Sequence, residues 1–285
     1  MKLGIAFEGG ASRTYFTCGV MNALINNNIK ADIVAGSSAG IANGVSYSSW
    51  QPDRCEEILK KYYSTPEYLG VKFLFKRGVK SLYNIPFVFD KIPNELIPFD
   101  YDTFKNGGIT SVASVTNIET GKTEYITLDG EDKSWTALVA TCALPILFQP
   151  VEIGGKLYMD GGITDSVPAD YLINEGCDKV IVVLTQERPY RKGKPDFTIK
   201  LSAAIYRKYP NFARVLKNRN NNYNLTRERL FELEKEGKVF IIMPEVMQGI
   251  SRTETDVDKL MTIYRHGIEC TNKRMDELRK YLSEE

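Results

Sequence analysis

Short β-rich runs alternate with helical patterns through the first two thirds of the chain, and this alternation restricts the fold more than any other feature. The predicted strands are 3–7, 31–35, 111–115, 125–128, 156–159 and 179–184. The clearest helices between them are one through Val20, Leu24 and Ile25, one at 39–49 and one at 165–175. Strands interleaved with helices of this length indicate a largely parallel central sheet with helices on both faces. The sequence therefore predicts the α/β class, in which ligands bind beyond the carboxyl ends of the strands.

The alternation ends near residue 190, and helical patterns dominate the remainder of the chain. They cover 197–223, 226–236 and 254–282, with one predicted strand at 239–243. No stretch rich in Gly, Ser or Pro separates the two parts. We therefore expect a single domain over 1–285, with a core at 1–190 and a mostly helical C-terminal part at 191–285.

Composition argues against several classes of partner and location. The 285 residues carry a formal net charge of +1, so net charge alone would not recruit nucleic acid. No segment reaches the roughly 18 continuous apolar residues of a membrane span, and the apolar run at 3–7 is too short for a signal peptide. We expect a cytoplasmic protein, and the sequence does not indicate its oligomeric state.

Few side chains are available for metal or thiol chemistry. The chain has a single histidine, His266, and its five cysteines are scattered at 18, 55, 142, 177 and 270 without a Cys-x-x-Cys pair. Neither a disulfide framework nor a zinc site is predicted from this pattern, and soft ligands for a transition metal are scarce. We expect reduced thiols, no metal and no cofactor.

A Gly-x-Ser-x-Gly pattern lies at Gly36-Ser37-Ser38-Ala39-Gly40, between the second predicted strand and the helix at 39–49. Small residues here allow a strand to turn sharply into a helix with the central serine at the apex. Ser38 is therefore a candidate nucleophile. A serine hydroxyl is a poor nucleophile until a neighbouring base accepts its proton, so the base must be identified.

A second glycine motif, Glu8-Gly9-Gly10-Ala11-Ser12-Arg13, joins the first strand to the first helix. Backbone N–H groups in such a turn point into a common space and favour an anion, which is what an oxyanion hole for acyl transfer requires. Arg13 would orient this loop or add to its positive field. The alternative is an ordinary strand-to-helix turn that needs glycine for backbone freedom.

A third motif, Asp160-Gly161-Gly162, follows a hairpin-like stretch at 151–159. Asp-Gly is a common turn dipeptide, so in isolation the motif indicates only a turn. A calcium loop is disfavoured because the spaced acidic ligands of such loops are missing.

Together, in order and approximate spacing, the three motifs resemble the patatin-like phospholipase family. The stretches 140–151 and 165–168, on either side of Asp160, are similar to that family as well, and the resemblance covers roughly residues 3–185. It implies hydrolysis of acyl ester bonds in phospholipids or other lipids, through an acyl-enzyme and without a metal. Ser38 would be the nucleophile of a Ser–Asp dyad and Asp160 its base.

The resemblance also implies roles for the glycines around these two residues. The loop residues Gly9, Gly10, Ala11 and Arg13 would form the oxyanion hole or anion site, while the supporting turns would be made by Gly36, Gly40, Gly161 and Gly162. The chain departs from the family's usual glycines at Ala11 and Thr14, which bears on the shape of the loop.

Two alternatives remain at this point. The chain order Ser38, Asp160, His266 matches that of α/β-hydrolase triads. However, Ser38 follows only the second strand, and His266 lies off the apolar stripe of a predicted helix, where we expect a surface residue. The other alternative is a non-catalytic protein that binds lipid or another anion at the glycine loop.

Two segments are rich in basic residues. Residues 68–89 contain Lys72, Lys76, Arg77 and Lys80 among aromatic and aliphatic side chains, without an acid. This composition suits peripheral contact with an anionic bilayer, a lid over an acyl-chain pocket, or core packing with a basic edge. Residues 188–219 carry ten Lys or Arg against one acid, Asp196, which indicates a second basic face or, more typically, a solvated pair of helices.

Overall fold

The structure is a computed structural model that describes residues 1–76, 80–247 and 249–284, so Arg77 of the basic segment lies outside the described residues. Its strands are β1 (Leu3–Phe7), β2 (Ile33–Ser37), β3 (Thr110–Asn117), β4 (Thr123–Leu128), β5 (Val151–Ile153), β6 (Lys156–Asp160), β7 (Lys179–Val183) and β8 (Val239–Ile242).

The helices are α1 (Tyr15–Asn26), α2 (Ala39–Ser48), α3 (Arg54–Ile58), α4 (Tyr101–Asn106), α5 (Thr136–Thr141), α6 (Ala169–Asn174), α7 (Phe197–Ile205), α8 (Pro210–Lys235), α9 (Val257–Lys273) and α10 (Met275–Ser283). Short 3₁₀ turns cover Ala11–Thr14, Val71–Leu74 and Gly161–Ile163, and π-helical segments cover Leu59–Tyr63 and Phe87–Leu96.

One mixed sheet contains all eight strands of the described part of the chain, in the order β5-β6-β3-β2-β1-β7-β8, with β4 paired to β3. Its central strands β3, β2, β1, β7 and β8 run parallel. One face carries a core that includes residues of α1, α2 and α9, and the other a core with residues of α6 and α8. The predicted sheet with helices on both faces and a helical C-terminal part is confirmed.

The strand β3 organises the site because two strands meet end to end along one of its edges. Parallel β2 ends with Ser37 opposite Ser114, and antiparallel β6 ends with Asp160 opposite Val115, the next residue of β3. Strand β4 pairs both with the residues of β3 that face β2 and with those that face β6. It therefore lies along the opposite edge of β3. The carboxyl ends of β2 and β6 are therefore brought together.

Several predicted helices have different limits in the structure. The helix expected at 165–175 begins only at Ala169, after Pro168. The helices predicted at 197–223 and 226–236 correspond to α7 and α8, but they are divided at a different place because α8 begins at Pro210. Proline fits the first turn of a helix, where its missing N–H is not needed. The final helical pattern is divided at Arg274.

The C-terminal part shares elements with the core. Strand β8 pairs with β7, and α9 packs against α1. That residues 1–285 form one domain stays a prediction.

Candidate active site

Ser38 occupies the sharp turn between β2 and α2. Its backbone angles, φ 52° and ψ −136°, lie in a region that costs a non-glycine residue about 1–3 kcal/mol and is tolerated where the surroundings impose it. The Ser38 N–H donates to Thr141 Oγ1 at 2.8 Å, and that hydroxyl donates to the Ser114 carbonyl at 2.6 Å. The end of α5 thus holds the turn in place.

Asp160 reaches the same place from the antiparallel strand β6. Strand β6 runs antiparallel to β3 and pairs with β5 in a hairpin, as the hairpin-like stretch at 151–159 predicts. The two residues meet because β2 and β6 end at successive positions along β3.

The carboxyl group of Asp160 is almost completely buried, with 1% of the residue exposed. Its Oδ1 accepts the Gly162 N–H at 2.8 Å, whereas Oδ2 has no hydrogen-bond partner among the described residues. Burial raises the pKa of Asp160, and the positive charge of Arg219 and the Ser38 hydroxyl oppose this only in part. The site therefore contains a carboxylate that binds a proton more readily than in water.

The glycines around Ser38 and Asp160 permit close contact between backbones. A Cβ on Gly40 would lie 2.6 Å from the Glu8 carbonyl oxygen, and one on Gly161 would lie 2.1 Å from the Ser114 oxygen. Gly36 packs against Ile41, and Gly162 packs between Asp160 and Ser37. All four predicted turn glycines thus surround the junction of β2 and β6.

The glycine loop after β1 lies beside Ser38. The Gly9 N–H donates to the Ser166 carbonyl at 3.2 Å, but the N–H groups of Gly10 and Ala11 donate to no other described residue. Ala11 has φ 51°, a left-handed conformation in which glycine is less strained. Alanine thus adopts this conformation at the position where the resemblance leads one to expect a third glycine, and the Thr14 hydroxyl supports the loop by donating to the Ala11 oxygen at 2.7 Å.

Arg13 anchors this loop to later parts of the chain. Its Nε donates to the Ile250 carbonyl at 3.0 Å, and its guanidinium also reaches the Gln186 side-chain oxygen in the amide orientation that satisfies both groups. The neighbouring Ser12 N–H donates to the Arg252 carbonyl at 3.2 Å. These contacts favour the orienting role for Arg13.

Glu8 holds the base of the loop, and the sequence analysis did not identify it. Its buried carboxylate accepts hydrogen bonds from the Tyr223 hydroxyl and the Thr185 N–H. The position of Glu8 directly after the apolar strand β1 could have indicated this role, because a buried carboxylate requires hydrogen-bond partners.

A cavity of about 860 Å³ opens above Ser38, within the size range of small-molecule sites. Ala39, Ala42 and Val45 of α2 line it, so it extends about 10 Å along that helix at 1.5 Å per residue. Aromatic and aliphatic side chains complete this apolar part, among them Tyr63, Tyr68, Phe89, Ile92, Trp135 and Leu138. Its shape and lining suit an extended apolar chain.

Basic side chains line the cavity close to Asp160, although most of them belong to the segment 188–219, for which the sequence predicts a solvated pair of helices. Lys192, Arg219 and Arg252 belong to this group. The Arg219 Nε also donates to the Gly162 carbonyl at 3.0 Å. The excess of basic residues at 188–219 could have indicated Lys192 and Arg219. Only the fold, however, shows which basic residues of this segment line the cavity.

The basic segment at 68–89 contributes to the cavity in its described part. Tyr68, Tyr83 and Phe89 line the cavity, whereas Val71 and Phe75 are 64% and 85% exposed. No helix in the described residues has the length and apolar character needed to cross a membrane.

His266 lies apart from these residues, in the middle of α9. Its Nε2 accepts the Glu245 N–H at 3.2 Å, and its ring packs near Phe16. The side chain is half-buried rather than on the surface as expected. It does not belong to the described residues that line the cavity.

Comparison with known proteins gives two family matches. A family model described as Patatin-like phospholipase matches residues 5–173, and one described as a domain of unknown function, DUF6363, matches residues 209–283.

Individual relatives are distant. The uncharacterized protein YjjU of Escherichia coli is 23% identical over 198 residues, 65% of this chain and 52% of that protein. Lysophospholipase NTE1 of Scheffersomyces stipitis is 25% identical over 195 residues, 64% of this chain and 11% of that protein. VipD from Legionella pneumophila aligns structurally with a TM-score of 0.46 at 14% identity, covering 97% of this chain and 66% of that one. This chain spans only part of the length of these curated relatives.

Proposed function

Because the chain belongs to the patatin-like phospholipase family, we propose that it is a lipid acyl hydrolase in which Ser38 and Asp160 act as a catalytic dyad. The observation that carries the proposal is the unpartnered Oδ2 of Asp160, buried beside the serine of a strained strand-to-helix turn. An unsatisfied buried carboxylate oxygen is costly, and a functional role explains its presence.

In the proposed mechanism, Asp160 accepts the proton of Ser38 Oγ as that oxygen attacks the acyl carbonyl carbon. The resulting oxyanion is stabilised by the N–H groups of Gly10 and Ala11, and one such donor typically contributes about 10²–10³ in rate. Asp160 then protonates the departing alcohol, which leaves an ester on Ser38. Water attacks this ester, Asp160 accepts the water proton, and the fatty acid leaves as Ser38 regains its proton.

The environment of Asp160 supports its role as a base. An aspartate with the ordinary pKa of about 3.9 is a weak base for an alcohol, and burial raises the pKa of this one. The positive end of α2, which begins directly after Ser38, favours negative charge on the serine oxygen. The proposed mechanism requires neither a metal nor His266.

We further propose that the cavity mouth contacts a lipid surface. In addition to the exposed Val71 and Phe75, helix α7 presents Phe197, Leu201 and Ile205 to solvent, 77%, 40% and 54% exposed. These three lie four residues apart and therefore on one face of the helix. Exposed apolar side chains next to basic ones are typical of peripheral membrane contact.

The free state of all five cysteines is consistent with a reducing compartment. We therefore propose a cytoplasmic enzyme that acts at the membrane surface.

A fluorophosphonate probe tests the proposed nucleophile. We expect the wild type to be labelled on Ser38 and to hydrolyse lysophospholipids and monoacylglycerols, and we expect Ser38→Ala to lose both properties. Ser37→Ala is the matched control, because Ser37 is buried at the end of β2 and is not among the described residues that line the cavity, so its loss should leave labelling intact. A folded wild type that takes up no label would instead favour the non-catalytic, lipid-binding alternative.

A further inference from the structure

Three basic side chains from separate segments converge at the end of the cavity nearest Asp160. Lys192 lies in the loop before α7, Arg219 on α8 and Arg252 in the segment before α9, and all three line the cavity. Within the described part of the chain, none of them forms an ion pair. Side chains of like charge are thus held together, and the charge of Asp160 offsets that of Arg219 only in part.

Burial and the neighbouring charges lower the pKa values of Lys192 and Arg219. Burial and the charges of Arg219 and Arg252 lower the pKa of Lys192 well below its ordinary value. Burial also lowers the pKa of Arg219; the charge of Asp160 opposes this in part, and Arg252 makes a smaller contribution that lowers it further. Such an arrangement is costly in the empty protein, and a bound anion would relieve it.

Two nearby carboxylates, those of Glu8 and Asp196, already accept hydrogen bonds from other groups. Glu8 accepts hydrogen bonds from Tyr223 and the Thr185 N–H, and Asp196 caps α7 by accepting the Ile199 N–H at 2.9 Å. Asp160 accepts the Gly162 N–H through Oδ1, and its single charge faces the three basic side chains and offsets that of Arg219 only in part. The cavity wall at this end therefore presents positive charge.

Lys192 and Arg219 are held in place by contacts with the protein, whereas the exposed Arg252 is anchored through its backbone. The Lys192 backbone exchanges two hydrogen bonds of 2.9 Å with the Asn224 side chain, and its amine lies 3.5 Å from the Tyr223 ring centroid. Arg219 is fixed by the Gly162 carbonyl, and the Arg252 carbonyl accepts from Ser12 at 2.7 Å. Pre-positioned donors lose little freedom when a ligand binds.

We propose that Lys192, Arg219 and Arg252 bind the phosphate of an anionic lipid head group while the acyl chain extends along α2. This inference rests on the proposed function, since it places the scissile ester at Ser38 between the two ends of the cavity. In a glycerophospholipid only the glycerol backbone separates the phosphate from the ester, which matches a basic cluster immediately beside Asp160. A head group with its own cation, such as choline, would be repelled.

The test compares substrates that share one acyl chain: lysophosphatidylglycerol, lysophosphatidylcholine and monoacylglycerol. For the wild type we expect the highest kcat/KM with lysophosphatidylglycerol. In Lys192→Gln and Arg252→Gln, the ratio of kcat/KM for the anionic ester to that for monoacylglycerol should fall about 10- to 100-fold, through KM, as expected for a charge-assisted hydrogen bond. Arg214→Gln and Lys217→Gln, exposed positions on α8, should retain the wild-type ratio.

A binding measurement separates a lipid head group from a free phosphate ion and does not require turnover. Ser38→Ala protein is titrated with dodecyl phosphate, glycerol 3-phosphate and inorganic phosphate, with and without Lys192→Gln. Tightest binding of dodecyl phosphate, weakened at least tenfold by Lys192→Gln, supports the head-group site. Equal affinity for inorganic phosphate would assign the cluster to a free anion, and unchanged binding in Lys192→Gln would overturn the proposal.

The two proposals fail in different ways. If the wild type hydrolyses none of the three esters yet dodecyl phosphate binding depends on Lys192, the hydrolase proposal fails and the phosphate site stands. If monoacylglycerol is hydrolysed and all variants show the same substrate ratio, the phosphate site fails alone.

Discussion

Replacing Asp160 with Asn should have opposite effects on activity and on stability. The change removes the proposed base, and loss of a general base typically costs about 10²–10⁴ in rate. It also removes a carboxylate whose pKa burial raises, so a neutral side chain of the same shape should be easier to bury. An amide keeps an acceptor for the Gly162 N–H, which Oδ1 receives at 2.8 Å.

The direction of the stability change follows from the pKa shift. Because the folded-state pKa of Asp160 lies above its unfolded value, the group stabilises the folded state only while protonated, and that contribution is lost as pH rises through the folded-state pKa. The wild type loses this contribution as pH rises, and Asp160→Asn avoids the loss. Arg219 then lacks a nearby anion, which limits the gain to about 0.5–2 kcal/mol, and the gain should shrink as pH is lowered.

The assay pairs kcat/KM on a monoacylglycerol with urea unfolding at neutral and at acidic pH. The matched control is Asp165→Asn, because Asp165 also has a pKa raised by burial but accepts from the Tyr125 hydroxyl, at 2.7 Å. It should remain active. Asp160→Asn protein that keeps more than a tenth of wild-type kcat/KM would refute the proposed role, and one that loses activity and stability together would indicate a structural role only.

Three further predictions address the same site. As pH is lowered, kcat/KM should fall through the raised pKa of Asp160, and no second titration from an imidazole should appear. Activity that peaks when Asp160 is protonated would contradict its assignment as the base. His266→Ala should keep kcat/KM within about twofold while losing roughly 1 kcal/mol of unfolding free energy with the Glu245 hydrogen bond, and a hundredfold loss of turnover in folded protein would restore the triad. Ala11→Gly should raise the unfolding free energy by about 0.5–1 kcal/mol, because relief of the left-handed conformation outweighs the entropy of glycine; a decrease in urea unfolding would show that the strain is absent.

The parts of the site that could be predicted from sequence are those encoded locally. The turn at Ser38 needs only a strand, small residues and a helix in succession, and all three are visible between 31 and 49. Likewise, β1 has the predicted limits, since an apolar run that ends at Glu8 and two glycines has clear boundaries. The position of Asp160 beside Ser38 could be expected only through the family resemblance.

Geometry at a distance could not be predicted in the same way. The meeting of β2 and β6 depends on how β3 pairs with both, and no local pattern encodes that register. Whether Lys192 and Arg219 face the cavity depends on where the loop before α7 and helix α8 lie relative to the site. A basic residue is equally compatible with solvent until the rest of the cavity wall is known. For the same reason the segment 188–219 was expected to be a solvated surface.

The C-terminal part therefore has a direct physical role in the site. Each loop around Ser38 and Asp160 is bonded to a residue beyond 190: Glu8 to Tyr223, Arg13 to the Ile250 carbonyl and Gly162 to Arg219. Without these partners Glu8 would keep a buried carboxylate with one fewer donor, which costs more than an ordinary lost hydrogen bond. The glycine loop and the Asp160 turn would also lose their anchors. The residues that orient the proposed catalytic groups and those proposed to select the head group thus come from the same helical region, so changes in that region would affect turnover and substrate preference together.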